Sequence, residues 1–417
     1  MPETTKAAGG AQVTVAKDCP RLLFVSDLPP CHLTGGPILM HRLLSGYPME
    51  RLTVACSAGL MPRATGTLLP CRHVPLFQTT GTGRWGLGRI KQLVDVAAFG
   101  PLVWSLERLL RETQSEAVLT VAHGMMFIAV VLAAKRAGKP SVVVVHDDWL
   151  WVIGHHTWVP KALAPSIFGR TLRRATHVYA ISDGVQKWLR EEFHVDSEVQ
   201  LPCADSGVFP RIAPRGDGTF RLVYAGSFDA STAVGMRLLI EGLRGGAIGE
   251  NWTLDLYGLS PGHATSQGWE DARVTAHGWR PQQEVHTAMA GADLLYAAFG
   301  FDALARRLAN RQFPSKMADY LAARRPILVC APRDTAISRY IHRWNCAELV
   351  EEPSREAVAA ALHRLATSPE RRDELVERGW EAFRANHEVA QLRAQLVSRL
   401  RQLSGWDRRM TCVASLR

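Results

Sequence analysis

An α/β protein built from two doubly wound, parallel-sheet domains is what the sequence predicts, on three observations. Short apolar runs of strand length alternate with longer segments of helical period along most of the chain. The alternation stops over residues 203–218, a Pro- and Gly-bearing segment without periodicity, and restarts at Phe220. A length of 417 residues exceeds one ordinary core, so the two stretches are expected to form two cores of similar size. The expected division is a disordered start over 1–18, a first domain over 19–202, a linker over 203–218 and a second domain over 219–385. Residues 386–417 then supply a C-terminal helix that packs back toward the first domain.

In the first half, residues 21–27 form a buried strand, followed by a turn that brings Gly35 and Gly36 to the start of a helix. Paired glycines let the backbone approach a ligand closely. No G-x-G-x-x-G follows this strand, so it indicates a parallel α/β domain more than a particular ligand. After a second strand over 51–56, residues 65–88 read as a mobile loop. Arg84, Trp85, Arg89 and Lys91 border the apolar stretch after it, a pattern that fits an interfacial helix as well as a core helix with a solvated basic end. A strand over 117–122 then delivers His123, and one over 141–145 delivers His146, Asp147, Asp148 and Trp149. Ligands of open parallel sheets bind beyond the carboxyl ends of the strands, which places both histidines on the functional edge. A single histidine there is usually structural; two consecutive strands ending in one point to a site. Residues 177–181 form the next strand, and Ser182-Asp183-Gly184 caps the helix after it.

In the second half, a strand over 220–225 runs into Gly226 and Ser227, and strands follow over 253–257, 273–276 and 293–298. The stretch from Arg311 to Leu321, leading to the strand at 327–330, carries the most chemistry. Pro314 suits the first position of a helix, with Ser315 and Lys316 in the first turn. Free N–H groups and the positive end of the helix dipole favour an anion there, and Lys316 adds a full charge. Asp319, one turn on, can accept hydrogen bonds from hydroxyl groups. A phosphate with hydroxyls beside it describes a nucleotide-sugar. The plainer reading is a capped amphipathic helix with a solvated lysine and a surface aspartate.

Composition narrows the class. With 47% hydrophobic and 21% charged residues the chain is globular, and no apolar run reaches membrane-spanning length. Eight cysteines without a C-x-x-C pair suit free thiols in a reducing cytoplasm. A net charge of +10, without a nucleic-acid motif, points to phosphorylated substrates or an anionic membrane surface as partners. The start of the chain lacks the apolar core of a signal peptide. The expected location is therefore cytoplasmic, including the inner face of the cell membrane.

The ordered landmarks Ala180-Ile181-Ser182-Asp183, Leu201-Pro202, Tyr224-Ala225-Gly226-Ser227 and Pro314-Ser315-Lys316 through Pro326-Ile327 resemble the GT-B glycosyltransferases, in particular the retaining GT4-like group, over about residues 21–400. The resemblance implies two Rossmann-like domains facing each other across a cleft, with a nucleoside-diphosphate-sugar donor on the C-terminal domain. A glycan, lipid-linked or small-molecule acceptor would sit on the N-terminal one, and no metal or other cofactor is expected. The group's E-x7-E motif falls on Arg311 and Asp319: Asp319 looks like the ribose contact, and Arg311 replaces the acid that helps hold the donor sugar. Phe313, Pro314, Ser315 and Lys316 match the segment whose N–H groups meet the diphosphate. Where the group places an arginine after Gly226, this chain has Ser227, so Lys316 and Arg311 are expected to restore the lost charge. His123 matches the histidine near the anomeric centre. His146 matches the next strand-end histidine, with Asp147, Asp148 and Trp149 shaping the acceptor pocket. The implied activity is retaining sugar transfer in the biosynthesis of surface polysaccharide or glycoconjugate, with His123, His146 and Lys316 as the catalytic set. The departures at Arg311 and Ser227 leave a second reading, a degenerate GT-B protein that binds a glycan, a nucleotide or a partner enzyme. An epimerase or phosphorylase of the same fold is a third.

Overall fold

The computed structural model describes residues 19–32, 35–61, 68–76, 88–154, 162–213, 217–228, 230–269 and 271–406. The expected disordered start and the Arg84-Trp85 pair lie outside them. The first lobe contains β1 (Leu22–Ser26), α1 (Gly35–Leu44), β2 (Leu52–Ser57), β3 (Arg72–Leu76), α2 (Gly88–Glu112), β4 (Ala117–Val121), α3 (Met126–Arg136), β5 (Ser141–Val145), α4 (Trp149–Gly154), α5 (Ala164–Arg174), β6 (His177–Ala180), α6 (Asp183–Phe193) and β7 (Glu198–Val199). In the second lobe follow β8 (Phe220–Ala225), α7 (Ala230–Arg244), β9 (Trp252–Tyr257), α8 (Pro261–Ser266), β10 (Val274–Gly278), α9 (Gln282–Ala290), β11 (Leu294–Ala298), α10 (Ala303–Arg311), α11 (Lys316–Ala322), β12 (Ile327–Cys330), α12 (Ala336–Trp344), β13 (Glu348–Val350), α13 (Arg355–Thr367) and α14 (Pro369–Asn386). The last helix is α15 (Val389–Ser404).

Both sheets are parallel, ordered β3-β2-β1-β4-β5-β6-β7 and β10-β9-β8-β11-β12-β13. β4 and β5 are buried along their whole length, which is why they read as unbroken apolar runs. In each sheet the strand order reverses once, between β1 and β4 and between β8 and β11, and a crevice opens at the carboxyl ends of such a pair. The expected loop at 65–88 contains β3, an edge strand whose exposed Arg72 and Pro75 mask it. Pro314 stands two residues ahead of α11 instead of in its first position. Its carbonyl accepts the Met317 N–H at 3.1 Å, a tight four-residue turn that leads in, and the helix starts at Lys316.

One flank of the cleft is clasped. The α6 and α10 helices pack together, and a Cβ at Gly184 would stand 1.9 Å from Asn310 O, so only glycine permits this approach. Ser182 Oγ donates to Arg311 O, and Arg339 grips the Asp183 carboxylate with two bonds of 2.8 Å. The family-like Ser182-Asp183-Gly184 turn therefore also serves as an interlobe contact.

The chain crosses between lobes twice, side by side. Ala204 pairs with the returning strand, its N–H on His387 O and its carbonyl on Val389 N, both at 3.0 Å. α15 then lays Leu392, Leu396 and Leu400 against Leu22, Phe24 and Met40 of the first lobe. At the crossing His387 is fully buried between Pro202 O (2.6 Å) and Tyr340 Oη (2.9 Å). Burial lowers its pKa to about 4, below the ordinary 6.5. The unfolded chain therefore binds the extra proton first. Stability is full above about pH 6.5 and declines as the pH falls toward 4, by about 3 kcal/mol from this group. Urea titrations at pH 7, 5.5 and 4.5 should show His387→Asn losing less stability over this range than the parent; equal losses would exclude His387 as the source.

Candidate active site

The two switch points face each other. In the first lobe, Asp27 directly follows β1 and its Oδ2 accepts the Gly124 N–H at 3.0 Å, and His123 stands two residues past β4 beside it. From the end of β5, Asp147 reaches His123, with Oδ2 3.7 Å from Nδ1, and its Oδ1 accepts the Gln312 amide at 2.9 Å from the other lobe. The Asp147 carboxylate raises the His123 pKa against the opposing effect of desolvation, with Asp27 adding to the rise. Burial pushes the Asp147 carboxyl up, but its partners win and hold it below the usual range. Those partners are His123 first, then the His146 charge and the Gln312 amide, while burial lowers His146 itself to about 4. The Gly35-Gly36 turn threads between the lobes: a Cβ at Gly35 would stand 3.3 Å from Ser315 Oγ, and one at Gly36 3.5 Å from His146 Nδ1.

In the second lobe, β8 ends at Gly226, where φ is +147° and a Cβ would stand 2.8 Å from Lys316 Nζ. The amine donates to Tyr224 Oη at 3.0 Å and stands 4.1 Å above that ring, while Tyr224 donates to Ser227 O at 2.7 Å. Buried Tyr320 sets this geometry from beneath, accepting from Ala225 N (2.8 Å) and donating to Tyr296 O (2.9 Å). One helix, α11, is thereby pinned to the end of β8 and the middle of β11, and Lys316 is aimed across the β8 turn.

Several expected site residues lie elsewhere. Arg311 is turned away from any diphosphate: Nη1 is 2.5 Å from Asp148 Oδ2, Nη2 3.2 Å from Glu192 Oε1, and the guanidinium lies 4.3 Å over Trp188. Asp148, 1% exposed, is the buried half of this ion pair and cannot meet an acceptor. Trp149 is fully buried, stacked 5.0 Å from Phe168, and its Nε1 donates to Gly124 O at 2.8 Å, so it backs the His123 turn from within the core. Phe313 packs on Tyr340 and His387 at the chain crossing. Asp319 faces Arg42 of α1, with Nη2 2.8 Å from Oδ1, an ion-pair contact without hydrogen-bond alignment. A ribose hydroxyl has to share or displace Arg42 there. Of the three expected acceptor residues, Asp147 alone lines the cleft.

Asp27, Arg42 and Gln312 are additions from the structure. Asp27 follows β1 as His123 follows β4, so the strand-end rule already covers it; Arg42 sits in the last turn of α1, with no signal of its own.

Residues 89–201 match the model of Glycosyltransferase Family 4, and residues 237–398 that of a glycosyl transferase-like family. No curated protein matches the chain. Among solved structures, a glycosyltransferase from Rickettsia africae ESF-5 aligns with a TM-score of 0.67 at 10% identity, covering 92% of this chain and 98% of that one. HepE from Anabaena, in complex with UDP-glucose, aligns at 0.64 and 14%, covering 92% and 100%. Sucrose-phosphate synthase from Thermosynechococcus elongatus aligns at 0.64 and 14%, covering 92% and 99%. At these identities the structures speak for the fold, while the two family matches fall on the two lobes in their proper order. With paired parallel sheets and a cleft between their switch points, the chain is a glycosyltransferase of the GT-B fold, and the match of its first lobe to Glycosyltransferase Family 4 is consistent with the GT4-like group.

Proposed function

We propose that the protein moves a sugar from a nucleoside diphosphate to an acceptor hydroxyl with retention at the anomeric carbon, in the assembly of a surface polysaccharide or another glycoconjugate. The observation that carries this reading is Lys316 Nζ held over Gly226 at the end of β8, opposite the His123–Asp147 pair at the ends of β4 and β5. The diphosphate lies between Gly226 and the Ser315-Lys316 turn, where the ammonium neutralises charge as the C1–O bond to phosphate breaks. His123, its Nδ1 turned to Asp147, presents the other ring nitrogen to the sugar and orients it. Asp147 is shared between His123 and Gln312, which supports a role for it as their partner. The new bond forms from the acceptor oxygen to C1 on the face the phosphate leaves, and the departing phosphate takes the hydroxyl proton. The binding of UDP-glucose by the similarly folded HepE makes UDP-sugars the first donors to try. A net charge of +10 supports work at the anionic inner face of the cell membrane.

The test is release of nucleoside diphosphate from a panel of UDP-, GDP-, ADP- and dTDP-sugars, with and without glycan and lipid-linked acceptors. No release with any pair would refute the reading. His123→Ala should lower kcat about 100-fold through misorientation of the sugar, with nucleotide affinity by calorimetry changed less than about threefold. Equal losses in both would mean a damaged fold instead.

A further inference from the structure

We infer that Gln312 is a positioning residue for the transfer reaction: from the second lobe, its side-chain amide fixes the Asp147 carboxylate of the first, and that carboxylate holds the His123 ring. The inference rests on the transferase reading above.

The Asp147 oxygens are divided between two partners, Oδ1 accepting Gln312 Nε2 at 2.9 Å and Oδ2 facing His123 Nδ1 at 3.7 Å. The other charged or titratable neighbours of the pair are His146, beside Asp147, and Asp27, beside His123. A carboxylate held by one oxygen is fixed in rotation, so the other oxygen points at one place. What distinguishes Gln312 from an ordinary interlobe contact is its position in the chain. Arg311 grips Asp148, Gln312 grips Asp147, and Lys316, four residues on, faces Gly226. The cation on the phosphate side and the tether of the sugar-side histidine therefore ride on one short segment. A displacement of that segment moves Lys316 and Gln312 together, so the cation that meets the diphosphate and the amide that fixes Asp147 are coupled. Asp147 raises the His123 pKa in this arrangement, which supplies a readout independent of turnover.

The full chain labelled with 15N-histidine is titrated by NMR, the His123 ring being assigned by its loss in His123→Gln. In the parent this ring should titrate above the ordinary 6.5, and in Gln312→Leu it should fall back toward that value. With a donor the parent turns over, Gln312→Leu should lower kcat about tenfold while KM for donor stays within about twofold. Gln312→Glu should be slow at pH 7, where two carboxylates repel, and recover as the pH drops and a protonated Glu donates again. An unchanged His123 titration in Gln312→Leu overturns the inference whatever the activity, as does a KM effect without a kcat effect. If the parent turns over no donor, the transferase reading fails on its own, and the titration still decides whether Gln312 governs His123.

Discussion

Lys316→Ala will weaken nucleoside-diphosphate binding by about 100-fold or more while leaving the fold intact. A charge-assisted hydrogen bond to phosphate contributes about 1.5–3 kcal/mol, and an ammonium has three donors to offer. The effect is large here because neighbouring positions give no help. Ser227 brings no charge after Gly226, and Arg311 is committed to Asp148 and Glu192. The fold survives because Tyr224 keeps its own bond to Ser227 O, and Tyr320 pins α11 without the lysine. Calorimetry with UDP and GDP, beside a urea titration, separates the two quantities. Undiminished affinity in the variant would remove Lys316 from the site.

Arg311→Ala should cost about 3–5 kcal/mol of stability, the larger of the two structural effects expected here. Removing one partner of a buried pair leaves the other charge desolvated and uncompensated. Asp148 is 1% exposed, and its second cation, Arg307, stands 3.8 Å away on an exposed side chain. The loss also strips the cover from Trp188 and loosens the clasp between α6 and α10. Asp148→Ala alone should be milder, costing its bond to Trp151 N and the pair, and the double variant should recover part of the Arg311→Ala loss. A destabilisation below about 1 kcal/mol, or strict additivity, would mean that the ion pair is not the source. Arg311 is thus accounted for by interlobe adhesion.

What the sequence shows and what it hides divide along physical lines. Strands buried on both faces, such as β4 and β5, announce themselves as apolar runs, and the parallel order follows from the helices between them. β3 at an exposed edge and α10, with a strongly polar face, lack that signal. At the site, strand ends and the segment from Phe313 to Lys316 are legible because backbone geometry confines where they can lie. Partners are not. Arg311 and Asp148 are 163 residues apart, and nothing local distinguishes a guanidinium bound for phosphate from one bound for a carboxylate. Trp149 illustrates the same limit, since an aromatic after a strand fits a sugar platform and a core stack equally well until its neighbours Phe127 and Phe168 are known.

The seat of α15 on the first sheet makes that lobe a discontinuous domain. A gene fragment stopped at the linker would lack the helix that covers Leu22, Phe24 and Met40 and would present a bare apolar face to water. Mapping by truncation, or swapping the front half between relatives, therefore has to carry the tail along with it. The ribosome, too, must finish the last helix before the first lobe can close its core.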